Sequence, residues 1–144
     1  MKKFYLIIYK MWASFTIWAF ALIVNENNEV LLARRTDNGM WNLPWWGAES
    51  LESPWECVVR EVREETRLDV KVNRLVWIYS KFNKDDLVFC FLCDIMWWTI
   101  WETDESCEFW WFWANNLPDD IYKRHKERIL DFFKNKNKLT IKKS

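Results

Sequence analysis

Glycine is almost missing from this sequence: 2 residues in 144, where average usage of roughly 7% would supply about ten. Turn positions must therefore be filled by other residues, and several of the 13 tryptophans fall at expected strand ends and turns. Net charge is missing too. Lys and Arg number 21 and so do Asp and Glu, so no global field marks the chain for DNA, long RNA or a membrane surface. A nucleotide partner has to be held by a local site. There is no room for a second domain, yet 144 residues can bury a core without a disulfide or metal staple. The one histidine, His125, falls among Ile121, Ile129 and Phe133 on the apolar side of the last expected helix. It reads as a packing or helix-surface residue and not as a catalyst.

Cysteine is present but has no evident partner to bridge. Cys57, Cys90, Cys93 and Cys107 read as reduced core thiols. Cys90 and Cys93 lie in the apolar run Leu87–Met96, and residues three apart on a strand point to opposite faces, which argues against chelation or a local bridge. The apolar stretch Phe4–Val24 contains a passable cleavage pattern at Ala19-Phe-Ala21, but Lys10 interrupts it and cleavage would delete a strand. The chain is expected to be cytoplasmic, with no membrane partner.

The remaining pattern alternates strands and helices. Phe15–Val24 and Glu29–Arg35 flank the polar loop Asn25–Asn28, and together they predict an antiparallel hairpin. Further strands are expected at Leu68–Lys81, Leu87–Met96 and Phe109–Trp113, and a last helix at Ile121–Phe133. Strands interleaved with two helices predict an α+β domain, a mixed sheet with helices packed on it, spanning residues 1–144. Residues 134–144, with five lysines, predict a basic, solvated and disordered end.

The middle helix is the best specified. Ser53 can cap it, Pro54 suits its first turn, and Glu56 completes a capping box. Val58, Val59 and Val62 supply the expected core stripe. On another side Glu61, Glu64 and Glu65 stand at i, i+3 and i+4, with Arg60 beside them to orient a carboxylate through a bidentate bond. A solvated charged face tolerates such clustering, and a hard cation such as Mg²⁺ or Mn²⁺ would relieve it. The helix alone leaves both readings open.

The longer stretch is more specific. Trp46, five residues, Glu52, seven residues, then Arg60-Glu-Val-Arg-Glu-Glu-Thr-Arg-Leu68 resembles the Nudix box: glycine, five residues, Glu, seven residues, then Arg-Glu-apolar-x-Glu-Glu-x-Gly-apolar. Trp41-Asn-Leu-Pro44 and Gly47-Ala-Glu-Ser50 resemble its lead-in, and the likeness covers about residues 15–113. It implies the Nudix fold, an α/β/α sandwich with a mixed β-sheet. It also implies a Mg²⁺-dependent pyrophosphohydrolase, with Mn²⁺ as an alternative ion, acting on a small nucleoside diphosphate linked to another group. Carried over by position, Glu64 and Glu65 are metal ligands, Glu61 is a further ligand or base, and Arg60 orients the glutamates. Glu52 supports the loop, and the Trp45 carbonyl oxygen is one more ligand. The acid usual before the last strand is assigned to Glu105, with Glu102 and Glu108 in reserve.

The departures fall at glycines. Trp45 and Trp46 replace Gly-Gly, Arg67 replaces the glycine that closes the helix, and Leu51 stands where glycine is frequent. Two indoles beside the phosphate loop leave a second reading open: a Nudix-fold protein that binds a nucleotide or metal but is catalytically impaired.

Overall fold

The computed structural model describes residues 13–98 and 108–143. Glu102, Glu105, Cys107 and the N-terminal run through Trp12 lie outside the described residues. In chain order the elements are β1 (Thr16–Ile23), β2 (Glu29–Arg34), β3 (Trp41–Asn42), β4 (Trp45–Gly47), α1 (Pro54–Thr66), β5 (Leu68–Ser80), β6 (Asp86–Trp98), β7 (Glu108–Trp113), α2 (Lys123–Lys134) and β8 (Thr140–Lys143).

Five strands form one sheet in the order β4-β1-β6-β5-β8, and three form another in the order β3-β2-β7. The first sheet is mixed: β1 runs parallel to β6 and β5 parallel to β8, while its other pairs are antiparallel. Residues Ala19 to Ile23 are buried on both faces, as a strand covered from two sides requires. Alternation along β1 divides the core. Phe20 and Leu22 face a cluster that includes Ile129 and Phe132 of α2. Ala19, Ala21 and Ile23 face Cys57, Val58 and Val62 of α1. A sheet with α1 on one face and α2 on the other is the α/β/α arrangement that the resemblance implies. Cys90 and Cys93 fall into the two different clusters, so their opposite-face placement holds and both are free thiols.

Three expectations need correction. β1 and β2 do not form a hairpin ladder: they share one isolated bridge, Val24 to Val30. The eight-residue parallel register of β1 with β6, from Thr16–Asp86 to Ile23–Cys93, takes that side of β1. The Asn25–Asn28 loop thus carries the chain from one sheet to the other. Val59 is 37% exposed and leaves the core stripe, where Cys57 takes its place beside Val58 and Val62. The basic end is not all solvated chain either. Thr140–Lys143 adds to the β5 edge in register with Trp77 to Ser80, satisfying ladder groups that β5 would otherwise present to water. Among the described residues no helix is long and apolar enough to cross a membrane.

Candidate active site

The site is built from the start of α1. The Ser53 hydroxyl accepts from the Glu56 amide, and the Glu56 carboxylate accepts from the Ser53 amide at 2.9 Å, closing the capping box. Pro54 follows at the first helical position, where a missing N–H costs nothing. At the other end Arg67 adopts φ 64° and donates its amide to the Arg63 carbonyl at 3.1 Å. It holds the left-handed conformation that a closing glycine would adopt. Leu51, in the loop before the helix, is left-handed as well, with φ 66°.

Between these ends Arg60 organises the carboxylates. Its Nε donates to Glu52 Oε1 at 2.7 Å and its Nη2 to Glu52 Oε2 at 3.0 Å, a bidentate pair. Its Nη1 reaches both Glu61 Oε1 at 2.7 Å and Glu64 Oε2 at 3.2 Å. One guanidinium therefore spans the loop and one turn of helix. The Arg60 hydrogen bonds hold Glu52 far below the usual carboxylate range, at about 2, with the Glu49 amide adding to the effect. Burial pushes the neighbouring Cys57 thiol up to about 12, so it stays protonated.

The expected acids are distributed unevenly. The Glu61 side chain is mostly buried, that of Glu64 is largely exposed, and half-buried Glu65 lines a cleft of about 270 Å³ with Trp46, Trp45 and Arg35. Glu61 and Glu64 are not part of that lining. Among the described residues no three acid, thiol or imidazole groups are gathered closely enough to hold a metal. Arg60 gathers Glu61 and Glu64 instead. The donor chemistry of this face, carboxylate oxygens beside a protonated thiol, suits a hard divalent cation. Glu105 and Glu102 lie outside the described residues. Glu108 starts β7 and pairs with Arg34 at 3.3 Å, which ties it to the second sheet.

The two indoles go to opposite sides of the sheet. Trp46 belongs to the α1 core cluster with Cys57 and Val58. Trp45 packs with the α2 cluster: its ring meets Trp18 edge-on at 4.9 Å and stacks on Phe20 at 5.9 Å. Neither tryptophan has positive φ, so strand geometry accommodates both. The Ala21 amide donates to the Pro44 carbonyl and the Ala48 amide to the Ile17 carbonyl. Trp45, opposite Phe20, is thus at a non-hydrogen-bonded position of the antiparallel pair, and its carbonyl points away from β1 at the free sheet edge.

A second cavity of about 230 Å³ shares Trp45, Arg35 and Asn42 with the first and continues beneath α2. His125 lines it. Its Nδ1 accepts the Leu43 amide at 3.0 Å, and burial, aided by Arg128, lowers its pKa to about 3. The imidazole is a neutral packing residue, as its sequence setting predicts, with a fixed tautomer as well. Sequence reasoning missed the cations around this cavity, Arg35, Lys81, Arg124 and Arg128. The available signal was Arg124 and Arg128 at i, i+4 on α2, flanking His125.

The sequence model of the NUDIX domain matches residues 15–132. The chain is 33% identical over 122 residues to an ADP-ribose pyrophosphatase of Methanocaldococcus jannaschii, covering 80% of this chain and 72% of that protein. It is 32% identical over 114 residues to a MutT-like protein of Streptomyces ambofaciens, covering 76% and 71% respectively. The crystal structure of a NUDIX hydrolase from Nitrosomonas europaea superposes with a TM-score of 0.76 at 21% identity, covering 92% of this chain and 81% of that one. That last likeness concerns the fold.

Proposed function

Because the chain belongs to the Nudix hydrolase family, whose enzymes act on phosphoric anhydride bonds, we propose that it is a Mg²⁺-dependent pyrophosphohydrolase, with Mn²⁺ able to substitute. Its substrate is a small nucleotide, a nucleoside diphosphate linked to another group. The observation that carries this reading is the Arg60 fork, which fixes Glu52 with one edge and brings Glu61 and Glu64 to one nitrogen with the other. Such an arrangement spends a cation on holding acids together on one face.

Glu61, Glu64 and Glu65, with the Trp45 carbonyl oxygen, are the groups that would hold the metal, the carboxylates drawing together on the ion from the separate positions they occupy here. A divalent ion held there would supply positive charge against the diphosphate and would make a nearby water more acidic. Arg60 positions the Glu61 carboxylate, which accepts a proton from the attacking water. Glu105 is the further acid that completes the site. Water adds to one phosphorus, the bridging P–O bond breaks, and two phosphate monoesters leave.

The competing reading, an impaired binder, rests on loop backbone deformed by lost glycines. Trp45 and Trp46 are extended, and Arg67 itself takes up the left-handed cap, so hydrolysis is the better supported of the two. The test is release of phosphate or nucleoside monophosphate across ADP-ribose, sugar nucleotides, dinucleoside polyphosphates and nucleoside triphosphates, with and without Mg²⁺. Cation-dependent turnover of at least one is expected. No turnover of any by the folded protein would overturn the proposal.

A further inference from the structure

Resting on the hydrolase reading, we propose that Trp45 is a specificity-determining residue: its indole is a stacking platform that commits the cavity beneath α2 to an aromatic, phosphate-bearing end of the substrate, a nucleoside monophosphate unit.

The cavity's chemistry is lopsided. Arg35, Lys81, Arg124 and Arg128 line it and no carboxylate does, in a chain whose charges balance. Lys81 is paired with Asp86 at 3.0 Å and Arg35 with Asp37. Arg124 is exposed and has no ion pair among the described residues. Arg128 lies over the Tyr79 ring at 4.3 Å. Positive charge is therefore available for an anion, and the walls between the cations are aromatic.

Trp45, with Arg35 and Asn42, is a wall common to both cavities. Its ring is held by Trp18 and Phe20 and by the Arg35 guanidinium at 5.9 Å; with the Asn42 amide turned so that its nitrogen donates to the Ala33 carbonyl, the Asn42 oxygen also accepts from the indole Nε1 at 3.0 Å. A base that takes the place of the Arg35 guanidinium over this ring meets a platform already held in place, which loses little freedom on stacking. His125 adds a donor: with Nδ1 accepting the Leu43 amide, the neutral ring carries its proton on Nε2. Each cavity alone, about 270 and 230 Å³, is smaller than the roughly 300–1,000 Å³ of a typical ligand site. A ligand of nucleotide length needs both. A diphosphate near Glu65 then places its far end against Trp45 and the four cations.

The experiment measures binding of AMP, adenosine and ribose 5-phosphate by calorimetry, in EDTA, on the intact chain. None has an anhydride to cleave, so the result is independent of whether the chain is a hydrolase. AMP is expected to bind more tightly than either fragment. Trp45→Leu, which retains apolar bulk and the backbone carbonyl, should weaken AMP roughly tenfold or more and leave ribose 5-phosphate unchanged. Arg124→Ala should weaken AMP and ribose 5-phosphate and spare adenosine. Trp45→Phe, a milder change, should fall between parent and Trp45→Leu and guards against misfolding of the latter. AMP binding no tighter than ribose 5-phosphate, or unaltered in both Trp45 variants, overturns the proposal even if an anhydride substrate is turned over.

Discussion

Glu52 and Arg60, eight residues apart, are joined by two nearly parallel hydrogen bonds of 2.7 and 3.0 Å, which fasten the loop before α1 to the middle of the helix. The same guanidinium then reaches Glu61 and Glu64, so the loop and the carboxylate face are positioned by one side chain.

Removing that side chain should cost stability and order together. Arg60→Ala leaves the well-buried Glu52 carboxylate without its partner, at a cost of about 2 kcal/mol, measurable by urea unfolding. Glu52 also sets an acid limb. Its folded pKa, about 2, lies below the ordinary value of 4.5, so its contribution is complete above about 4.5 and is lost as pH falls toward 2. Glu52→Gln should flatten stability against pH in that window. An unaltered acid limb would remove Glu52 from the fastening role.

His125 titrates in a different window. Its folded pKa of about 3 lies below the ordinary 6.5, so the unfolded chain takes up a proton that the folded chain refuses. Stability is then complete above 6.5 and falls as pH drops toward 3. His125→Asn, which offers an oxygen to the Leu43 amide without titrating, should show a flatter melting temperature between pH 6.5 and 5, before most carboxylates protonate. Parallel profiles for parent and variant would contradict the neutral-imidazole assignment.

The four positions that depart from glycine divide into two physical kinds. Leu51 and Arg67 are left-handed, so Leu51→Gly and Arg67→Gly should each stabilise by about 1 kcal/mol. Arg67→Gly should gain more, because its Nη1 and Nη2 are buried without hydrogen-bond partners among the described residues. Trp46 is 9% exposed against Cys57 and Val58, so Trp46→Gly should cost about 3–5 kcal/mol, as for large-to-small core changes. Thermal unfolding of the three variants checks the signs. Stabilisation by Trp46→Gly would mean that its indole strains the loop rather than filling the core.

Local chemistry was legible and long-range packing was not. Ser53, Pro54 and Glu56 announced the start of α1 because capping depends on residues three apart, and the closing turn at Arg67 follows the same logic. β8 was hidden because five lysines outweighed Leu139, Thr140 and Ile141, whose strand forms only where β5 offers an edge. The supposed hairpin failed for a related reason: β6, more than sixty residues away, pairs with β1 in full register. The cavity beneath α2 draws Arg35 from the end of β2, Lys81 from the end of β5 and Arg124 from α2, a convergence that no sequence spacing records.

The most direct test of the central claim is Mg²⁺-dependent anhydride hydrolysis by the parent chain, Glu64→Gln and Glu65→Gln, with circular dichroism to confirm that each is folded. An amide keeps the shape of the carboxylate and removes the charge that a divalent ion requires. Parent turnover should vanish in EDTA, and each variant should lose on the order of 100-fold or more. Turnover undiminished in both folded variants would contradict the catalytic assignment and leave the three glutamates as a solvated helix face.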